Sequence, residues 1–114
     1  MRIEKFEDIL SWQKGKILVL DIYKTFKECR DYSYRDQLQR ASVSIMNNIA
    51  EGFERKTNKE LMNFLFIAKG SCAEVRSMLY IGLELNYFTK NKFDAWYLLS
   101  VEISKLLSGL IKTL

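Results

Sequence analysis

Residues 57–83, TNKELMNFLFIAKGSCAEVRSMLYIGL, decide the fold class of this chain. Thr57 and Glu60 open the stretch as a capping box, in which the two residues satisfy each other's unpaired N–H groups at a helix start. Apolar or small residues then recur at three- and four-residue steps, which is the period of one helix face. These positions are Leu61, Phe64, Leu65, Ala68, Cys72, Val75, Leu79 and Leu83. The stretch therefore predicts a long α-helix that buries one face.

The same periodicity covers the rest of the chain and predicts three further helices. We expect helices over residues 7–30, 34–54, 58–86 and 90–113, within one domain of residues 1–114. Ser33 with Asp36 is the expected cap of the second helix, and Thr89 or Asn91 that of the fourth. Because the connections are short, neighbouring helices must run antiparallel. The prediction is an all-α protein, an antiparallel up-down-up-down four-helix bundle with its first and last helices side by side.

The composition favours this fold and offers few of the residues that enzymes use for catalysis. The 114 residues include no proline and five glycines, and 48% are hydrophobic. Sandwiches and barrels need frequent turn residues and are therefore disfavoured. Histidine is also absent, which excludes Ser-His and Cys-His catalysis and His-containing zinc sites. We expect no catalytic residue, no metal site and no cofactor, and hence a protein that is not an enzyme.

Two other features have plain structural interpretations. Glu51 and Glu54 lie three residues apart, but the sequence shows no second helix with a pair of carboxylates at a spacing that would face them. A site of paired carboxylates is therefore disfavoured. Gly70 and Gly82 stand alone inside the third predicted helix, where close approach of another helix is the expected reason for a glycine.

Several features bear on the compartment. The amino terminus is charged and lacks an apolar run, so we expect no signal peptide. The longest apolar runs fall far below the roughly 18 residues that a membrane span needs. Cys29 and Cys72 are too few for a disulfide framework and lie on core stripes, where small buried thiols are expected. We therefore expect a cytoplasmic protein with no membrane partner.

A polar stripe on the second predicted helix is the most informative motif. Its members lie within about 60° of one another at ~100° per residue. They are Arg40, Ser44, Asn47 and Glu51, with Asn48 beside them. One interpretation is a solvated outer face. The other is a pre-organised polar seam at a helix or subunit contact, because the stripe uses short hydrogen-bonding side chains rather than the lysines and glutamates of free surface.

The third predicted helix has a second apolar stripe, which lies about opposite to Phe64 and Val75. It consists of Met62, Phe66, Ala73 and Tyr80. A helix of a monomeric bundle buries one face, so a second apolar face indicates burial against another subunit. A scatter of exposed apolar residues is the alternative. We expect a homo-oligomer.

The net charge of +4 is unevenly distributed along the chain. Residues 1–30 have seven basic and five acidic groups, residues 89–114 have four and two, and residues 31–88 have seven of each. The excess therefore falls on the two helices that are expected to be neighbours. The candidate residues for nucleic-acid binding are Lys16, Tyr23, Lys27 and Arg30 on the first helix and Lys90, Lys105 and Lys112 on the last. A basic face with an interleaved tyrosine is a modest signal for nucleic acid, and a solvated face explains it about as well for one subunit.

Several segments resemble the 23S rRNA intervening-sequence protein family, which consists of small bacterial four-helix-bundle proteins. The resemblance runs from Phe6 to the C-terminus, with Arg76 as a minor departure. The segments and positions that support it are residues 6–14 (FEDILSWQK), Tyr23, residues 37–45 (QLQRASVSI), residues 48–52 (NIAEG), Phe64, residues 67–71 (IAKGS) and Glu74.

This resemblance implies a bundle that assembles into a homopentameric ring and has no enzymatic activity. The family that this chain resembles is also related to accessory variability proteins of diversity-generating retroelements, which bind a reverse transcriptase and nucleic acid through a basic surface. The signature positions that it transfers to this chain are Arg40, Asn48, Glu51, Gly52, Ser71 and Glu74. With Ser44 they overlap the polar stripe, which favours a structural or inter-subunit seam.

Two functional hypotheses follow. The first is a non-catalytic homo-oligomer that binds RNA or DNA through the basic outer faces of helices 1 and 4. The second is a protein-protein adaptor or scaffold, for example an accessory subunit of a reverse transcriptase, without direct nucleic-acid binding.

Overall fold

The computed structural model describes residues 3–114. The predicted domain range and the amino terminus assessed for a signal peptide include Met1 and Arg2, which lie outside the described residues. A short 3-10 turn, Phe6–Asp8, precedes four helices: α1 (Leu10–Thr25), α2 (Tyr32–Phe53), α3 (Asn58–Glu84) and α4 (Lys90–Lys112). Residues 3–114 contain no strand, so the all-α fold class is confirmed. None of the helices in this part of the chain is long and apolar enough to cross a membrane.

The four helices pack as a bundle in which each has two neighbours. Helix α1 packs on α2 and α4, and α3 packs on α2 and α4, so that α1 and α3 are diagonal to each other. The first and last helices are therefore side by side, as predicted. One core of buried side chains runs through the interior and includes Leu18, Ile45, Leu79, Trp96 and Ile103.

Helix α1 is shorter than the predicted range of 7–30. It begins at Leu10, because Ile9 is extended (φ −76°, ψ 121°) and separates the 3-10 turn from the helix. It ends at Thr25, and the connection that follows is closed by a hydrogen bond from the Cys29 N–H to the Phe26 carbonyl at 3.1 Å. Phe26 is buried and Cys29 half-buried in this connection. The apolar stripe outlasts the helix because the turn also packs side chains inward, and this is why the prediction was too long.

The cap predicted for the second helix is wrong. Helix α2 begins at Tyr32, and its cap is Asp31, whose carboxylate accepts from the Tyr34 N–H at 3.1 Å. The same carboxylate accepts from the Tyr87 hydroxyl at 2.5 Å. That partner lies in the α3–α4 connection, so the position of the cap depends on a contact between distant parts of the chain.

The other two predicted caps are present. Thr57 accepts from the Glu60 N–H at 3.2 Å, and its hydroxyl donates to the Glu60 carboxylate at 3.0 Å. The box thus differs from the predicted one, since the carboxylate pairs with the hydroxyl rather than with the Thr57 N–H. At the start of α4, Thr89 accepts from the Lys92 N–H at 3.1 Å.

The glycines divide into close contacts and open positions. A Cβ on Gly82 would lie 2.3 Å from the Tyr34 hydroxyl, and one on Gly52 would lie 2.6 Å from the Phe64 Cβ. Close approach is therefore the reason for Gly82, as predicted. At Gly70 nothing lies within 4 Å, so the predicted helix contact there is wrong within a single chain: Gly70 points outward from α3, away from both neighbours.

Candidate functional site

A polar groove runs along the outer face of α2, where the predicted polar stripe meets α1. It has a volume of about 340 Å³. Its lining residues are Tyr23 of α1 and Arg40, Val43, Ser44, Asn47, Asn48 and Glu51 of α2. The structure thus brings five residues of the stripe together with an aromatic ring that the sequence analysis had placed on a basic face.

Hydrogen bonds hold one wall of the polar groove in place. The Ser44 and Ser71 hydroxyls are 2.9 Å apart and join α2 to α3. The Asn48 side-chain Nδ2 donates to the Ser44 carbonyl at 2.8 Å and to the Ser44 hydroxyl at 2.9 Å. Because a carbonyl can only accept, this contact determines which end of the Asn48 amide faces Ser44. The Asn48 Oδ1 remains as an acceptor with a defined orientation.

Three other polar side chains of the groove make no hydrogen bond or ion pair with the residues that the structure describes. Within residues 3–114, no hydrogen bond or ion pair engages the side chains of Tyr23, Arg40 or Asn47. Glu51, at the other end, pairs with Arg55 at 2.8 Å. The groove therefore offers an uncompensated guanidinium, a phenol and an amide, while its only carboxylate is neutralised by a neighbour.

Three further signature residues are distributed differently. Gly52 is buried where α2 and α3 approach, and Ser71 is buried in the hydrogen bond to Ser44. Glu74 is exposed on α3 one turn after Ser71, outside the lining of the groove. The predicted seam thus includes buried contacts between α2 and α3, as well as exposed groups that these contacts do not use.

The residues proposed for nucleic-acid contact do not form one helix face. Lys27 and Arg30 are exposed in the α1–α2 connection rather than on α1, because the helix ends at Thr25. Lys16 is exposed on α1, with its ammonium 5.9 Å from the centre of the Trp12 ring. Lys90 pairs with Asp94 one turn along α4. Helix-face alignment is thus a wrong prediction for the two residues of the connection.

Two of the α4 candidates are free of the ion pairs that join α4 to α1. Lys105 and Lys112 are exposed in the second half of α4. Between α1 and α4 stand two ion pairs that the sequence analysis missed, Lys14–Glu102 at 3.0 Å and Asp21–Lys92 at 2.9 Å. Their members are far apart in sequence, so no local pattern could have revealed them.

The second apolar stripe of α3 lies at the surface of the single chain. Phe66 and Tyr80 are each 54% exposed, Ala73 is exposed and Met62 is half-buried. Ile67 and Ile81 of α3 and Leu85, which directly follows it, are also exposed, and the sequence analysis did not include them. We call Met62, Phe66, Ala73 and Tyr80 the α3 outer face.

A larger apolar groove lies between the N-terminal segment and α4. It has a volume of about 780 Å³, and Lys105 lies at its margin. Its apolar lining residues are Ile3, Ile9, Leu10, Leu98, Val101, Leu106 and Leu110. Leu98 is 68% exposed. The apolar groove is the larger cavity, but its lining suits packing against another surface rather than recognition of a polar ligand.

The residues with shifted pKa values have structural roles. Burial raises the pKa of the Cys72 thiol to about 11, so this thiol stays protonated and is a poor nucleophile. Burial also raises the pKa of Tyr34, whose hydroxyl donates to the Met78 carbonyl at 2.6 Å. No group of three or more His, Cys, Asp or Glu side chains among the described residues could hold a metal ion.

Comparison with known proteins places the chain in one family. The profile of the 23S rRNA-intervening sequence protein family matches residues 7–109. A solved structure from Bacteroides thetaiotaomicron, described as a protein with unknown function from the S23 ribosomal protein family, superimposes with a TM-score of 0.83 at 26% identity. The match covers 90% of this chain and 99% of that one. A search of the curated proteins found no match. With a family match over most of its length and a bundle that superimposes on that relative, the chain belongs to the 23S rRNA-intervening sequence protein family.

Proposed function

We propose that this protein is a non-catalytic homo-oligomer that binds RNA or DNA through basic residues of α1, the α1–α2 connection and α4. The observation that supports the proposal is the exposure of the candidate cations and their freedom from ion pairs. Except for Lys90, they are exposed and have no ion-pair partner within residues 3–114. They are Lys16, Lys27, Arg30, Lys105 and Lys112. Free, exposed cations are the groups that neutralise phosphates and release counterions.

The absence of an enzymatic role is part of this proposal. The groups best suited to chemistry are engaged in the fold, as the buried Cys72 thiol and the Asp31–Tyr87 hydrogen bond illustrate. The polar groove presents single, unlike groups rather than a nucleophile beside a base.

Two apolar surfaces of the bundle support the proposed assembly. The α3 outer face and the apolar groove beside α4 are both uncovered in a single chain. Two unlike surfaces that bind each other in successive subunits form a head-to-tail contact, which closes into a ring when the rotation between subunits allows it and otherwise extends into a filament. We propose a homopentameric ring, the number that the family resemblance implies. Repetition of the basic residues around a ring would strengthen its field for a polyanion.

The nucleic-acid role is tested by electrophoretic mobility shifts with a structured RNA at two salt concentrations. Affinity should fall steeply with salt, with a log-log slope of roughly 0.7 to 0.9 for each phosphate neutralised. The triple variant Lys16→Glu, Lys27→Glu, Lys105→Glu should abolish binding. Lys56→Glu with Lys59→Glu is the control, because both lysines are exposed at the α2–α3 connection, away from the candidate cations. An RNA that does not bind wild-type protein at low salt would contradict the proposal.

The oligomer is tested by light scattering coupled to size exclusion. Phe66→Glu should dissociate the assembly, because it places a charge on the α3 outer face. Ile17→Glu is the control, since Ile17 is 59% exposed on α1 and lines neither groove. A monomeric wild-type protein, or equal masses for both variants, would contradict the proposed contact.

A second candidate function, a protein-protein adaptor, is favoured by the apolar groove alone. If a partner protein occupies it, Leu98→Asp should prevent capture of that partner, whereas Lys16→Glu with Lys27→Glu, neither of which lines the groove, should retain it. In this case the basic residues are only solvated surface, and a reverse transcriptase is the partner to test first.

A further inference from the structure

We propose that the polar groove holds one unpaired nucleotide of a single-stranded segment. The inference rests on the proposed nucleic-acid function and deepens it by assigning a site for a base as well as for phosphates. It gives a role to Arg40, Asn47 and Tyr23, which the hydrogen bonds between α2 and α3 leave unused.

The charge in the groove suits a phosphate. Arg40 is exposed and has no carboxylate partner within 4 Å among the described residues, so its guanidinium is free for bidentate contact with a phosphate. Among the described lining residues the one carboxylate, Glu51, is 2.8 Å from the Arg55 guanidinium, which adds a second cation at this end of the groove. Lys16 lies two turns before Tyr23 on the same face of α1 and adds positive charge nearby. The groove is therefore positive in balance.

Tyr23 provides a surface for a base. It is the aromatic residue of the lining and is 44% exposed, whereas Phe26 on the same segment is 1% exposed and packs in the core. Proteins that bind single strands stack bases on such exposed aromatic rings, whatever the sequence. An exposed ring close to a free arginine matches this pairing of stacking and phosphate contact.

The amides supply hydrogen bonds to a base edge at low cost. The two bonds from Asn48 to Ser44, and the Ser44–Ser71 contact behind them, orient the Asn48 Oδ1 before any ligand arrives. Groups that are ordered in advance lose less entropy on binding. Asn47 adds a free donor and a free acceptor, which is the combination that reads base edges.

The size of the groove favours an unpaired nucleotide over a duplex. About 340 Å³ is near the lower end of sites for small ligands, which span roughly 300 to 1,000 Å³. In an RNA duplex the bases are stacked inside the helix, so their faces cannot reach a tyrosine ring. A splayed nucleotide in a loop or at an end presents both its face and its edge.

The test uses fluorescence anisotropy of the full chain with a labelled five-nucleotide single strand and with a hairpin duplex of the same composition. Tyr23→Ala should weaken binding of the single strand by about tenfold or more, since base stacking is lost. Tyr23→Phe keeps the ring and should bind within about twofold of wild type. Arg40→Gln should also lose about tenfold, whereas Lys56→Gln, the same charge change outside the groove, should have little effect.

A second readout locates the contact on the protein. In a ¹H–¹⁵N correlation spectrum, the side-chain amide signals of Asn47 should move when the single strand is added. They should stay in place in Tyr23→Ala at the same concentration of strand, because less of that variant is occupied.

The outcomes separate this inference from the proposed function. If Tyr23→Ala and Tyr23→Phe bind the strand equally well, or the wild type fails to bind it at low salt, the groove is not a nucleotide site, and the lysine-dependent binding of structured RNA can still hold. If reversal of the lysine charges has no effect on binding of structured RNA but binding of the single strand still depends on the Tyr23 ring, the basic residues are not the binding surface and the groove remains the nucleotide site. A changed oligomer mass in Tyr23→Ala would overturn the inference by placing the groove between subunits.

Discussion

The two long contacts on opposite sides of the bundle, α2 with α3 and α1 with α4, are built from different chemistry. Uncharged residues form the first, where Gly52 meets Phe64 and the Ser44 and Ser71 hydroxyls are 2.9 Å apart. Charged residues bridge the second, through Lys14–Glu102 and the Asp21 carboxylate. The first contact brings two helix backbones close together. The second joins the helices through long side chains, and the apolar groove lies on the same side of the bundle.

This difference shows how one bundle can support two kinds of surface. The close α2–α3 contact is a rigid base for the polar groove, because its hydrogen bonds orient Asn48. The α1–α4 contact includes ion pairs between partly exposed groups. Salt screens such pairs, so the strength of this contact depends on solution conditions. Two substitutions and a change of pH test this contrast.

Gly52→Ala should lower the free energy of unfolding by about 1–3 kcal/mol, the usual cost of overpacking. The added Cβ would lie 2.6 Å from the Phe64 Cβ, which is too close to its own backbone to rotate away. Gly70→Ala is the matched control, because nothing lies within 4 Å of that position. Alanine there should stabilise the helix by roughly 0.5–1 kcal/mol. Urea unfolding of both variants measures the effect, and equal values would show that the α2–α3 contact is not tightly packed.

Asp21→Ala should lower the free energy of unfolding by about 1–2 kcal/mol. This is less than the largest loss expected for Gly52→Ala. Trp96 is 1% exposed, and its indole N–H donates to the Asp21 carboxylate at 2.7 Å, so alanine leaves a buried donor unpaired. Asp21→Asn keeps an acceptor and should cost under about 1 kcal/mol, since the Lys92 pair is about two-fifths exposed and screened by water. If asparagine is as damaging as alanine, the charge rather than the indole hydrogen bond stabilises this contact.

The smallest effect is the response to pH. Partial burial would raise the pKa of Asp21, but the hydrogen bonds from Lys92 and Trp96 outweigh it and the pKa is lowered. A lowered carboxyl pKa stabilises the fold above the unfolded value of 3.8 and loses this contribution as the pH falls through the folded pKa. The stability difference between wild type and Asp21→Asn should therefore shrink below about pH 4. The difference between wild type and Ser71→Ala should not, because that contact contains no titratable group.

Unfolding of all three proteins at pH 7 and at pH 3 measures these differences. A constant gap between wild type and Asp21→Asn would show that the carboxylate has no stabilising role. A gap that changes with pH for Ser71→Ala would contradict the division into charged and uncharged contacts.

Much of the fold could be predicted because it depends on short-range rules. The period of Leu65, Ala68, Cys72 and Val75 required a buried helix face, and these residues are buried. The Thr57 and Thr89 caps follow from side chains three residues from their partners. The cap of α2 could not be predicted in the same way. Asp31 is selected partly by the Tyr87 hydroxyl, whose position is known only once the bundle has formed.

The candidate site was only partly predictable for the same reason. The period of α2 aligned Arg40, Ser44 and Asn47 on one face, but no pattern within α2 could show that Tyr23 would stand against them. Nor could it show which members of the stripe are engaged. Ser44 and Asn48 are held by hydrogen bonds, whereas Arg40 is free, because only the first two lie within reach of Ser71 or of each other.

Residue type and local spacing are enough to predict the four amphipathic helices, the lack of histidine chemistry and the family. Tertiary structure alone decided how the surfaces are used. Packing α1 against α2 converts a polar stripe into a groove with an aromatic wall, and packing α1 against α4 pairs Lys14 and Lys92 with carboxylates. Which charges are cancelled and which remain free depends on distances between helices, and these arise only when the chain folds.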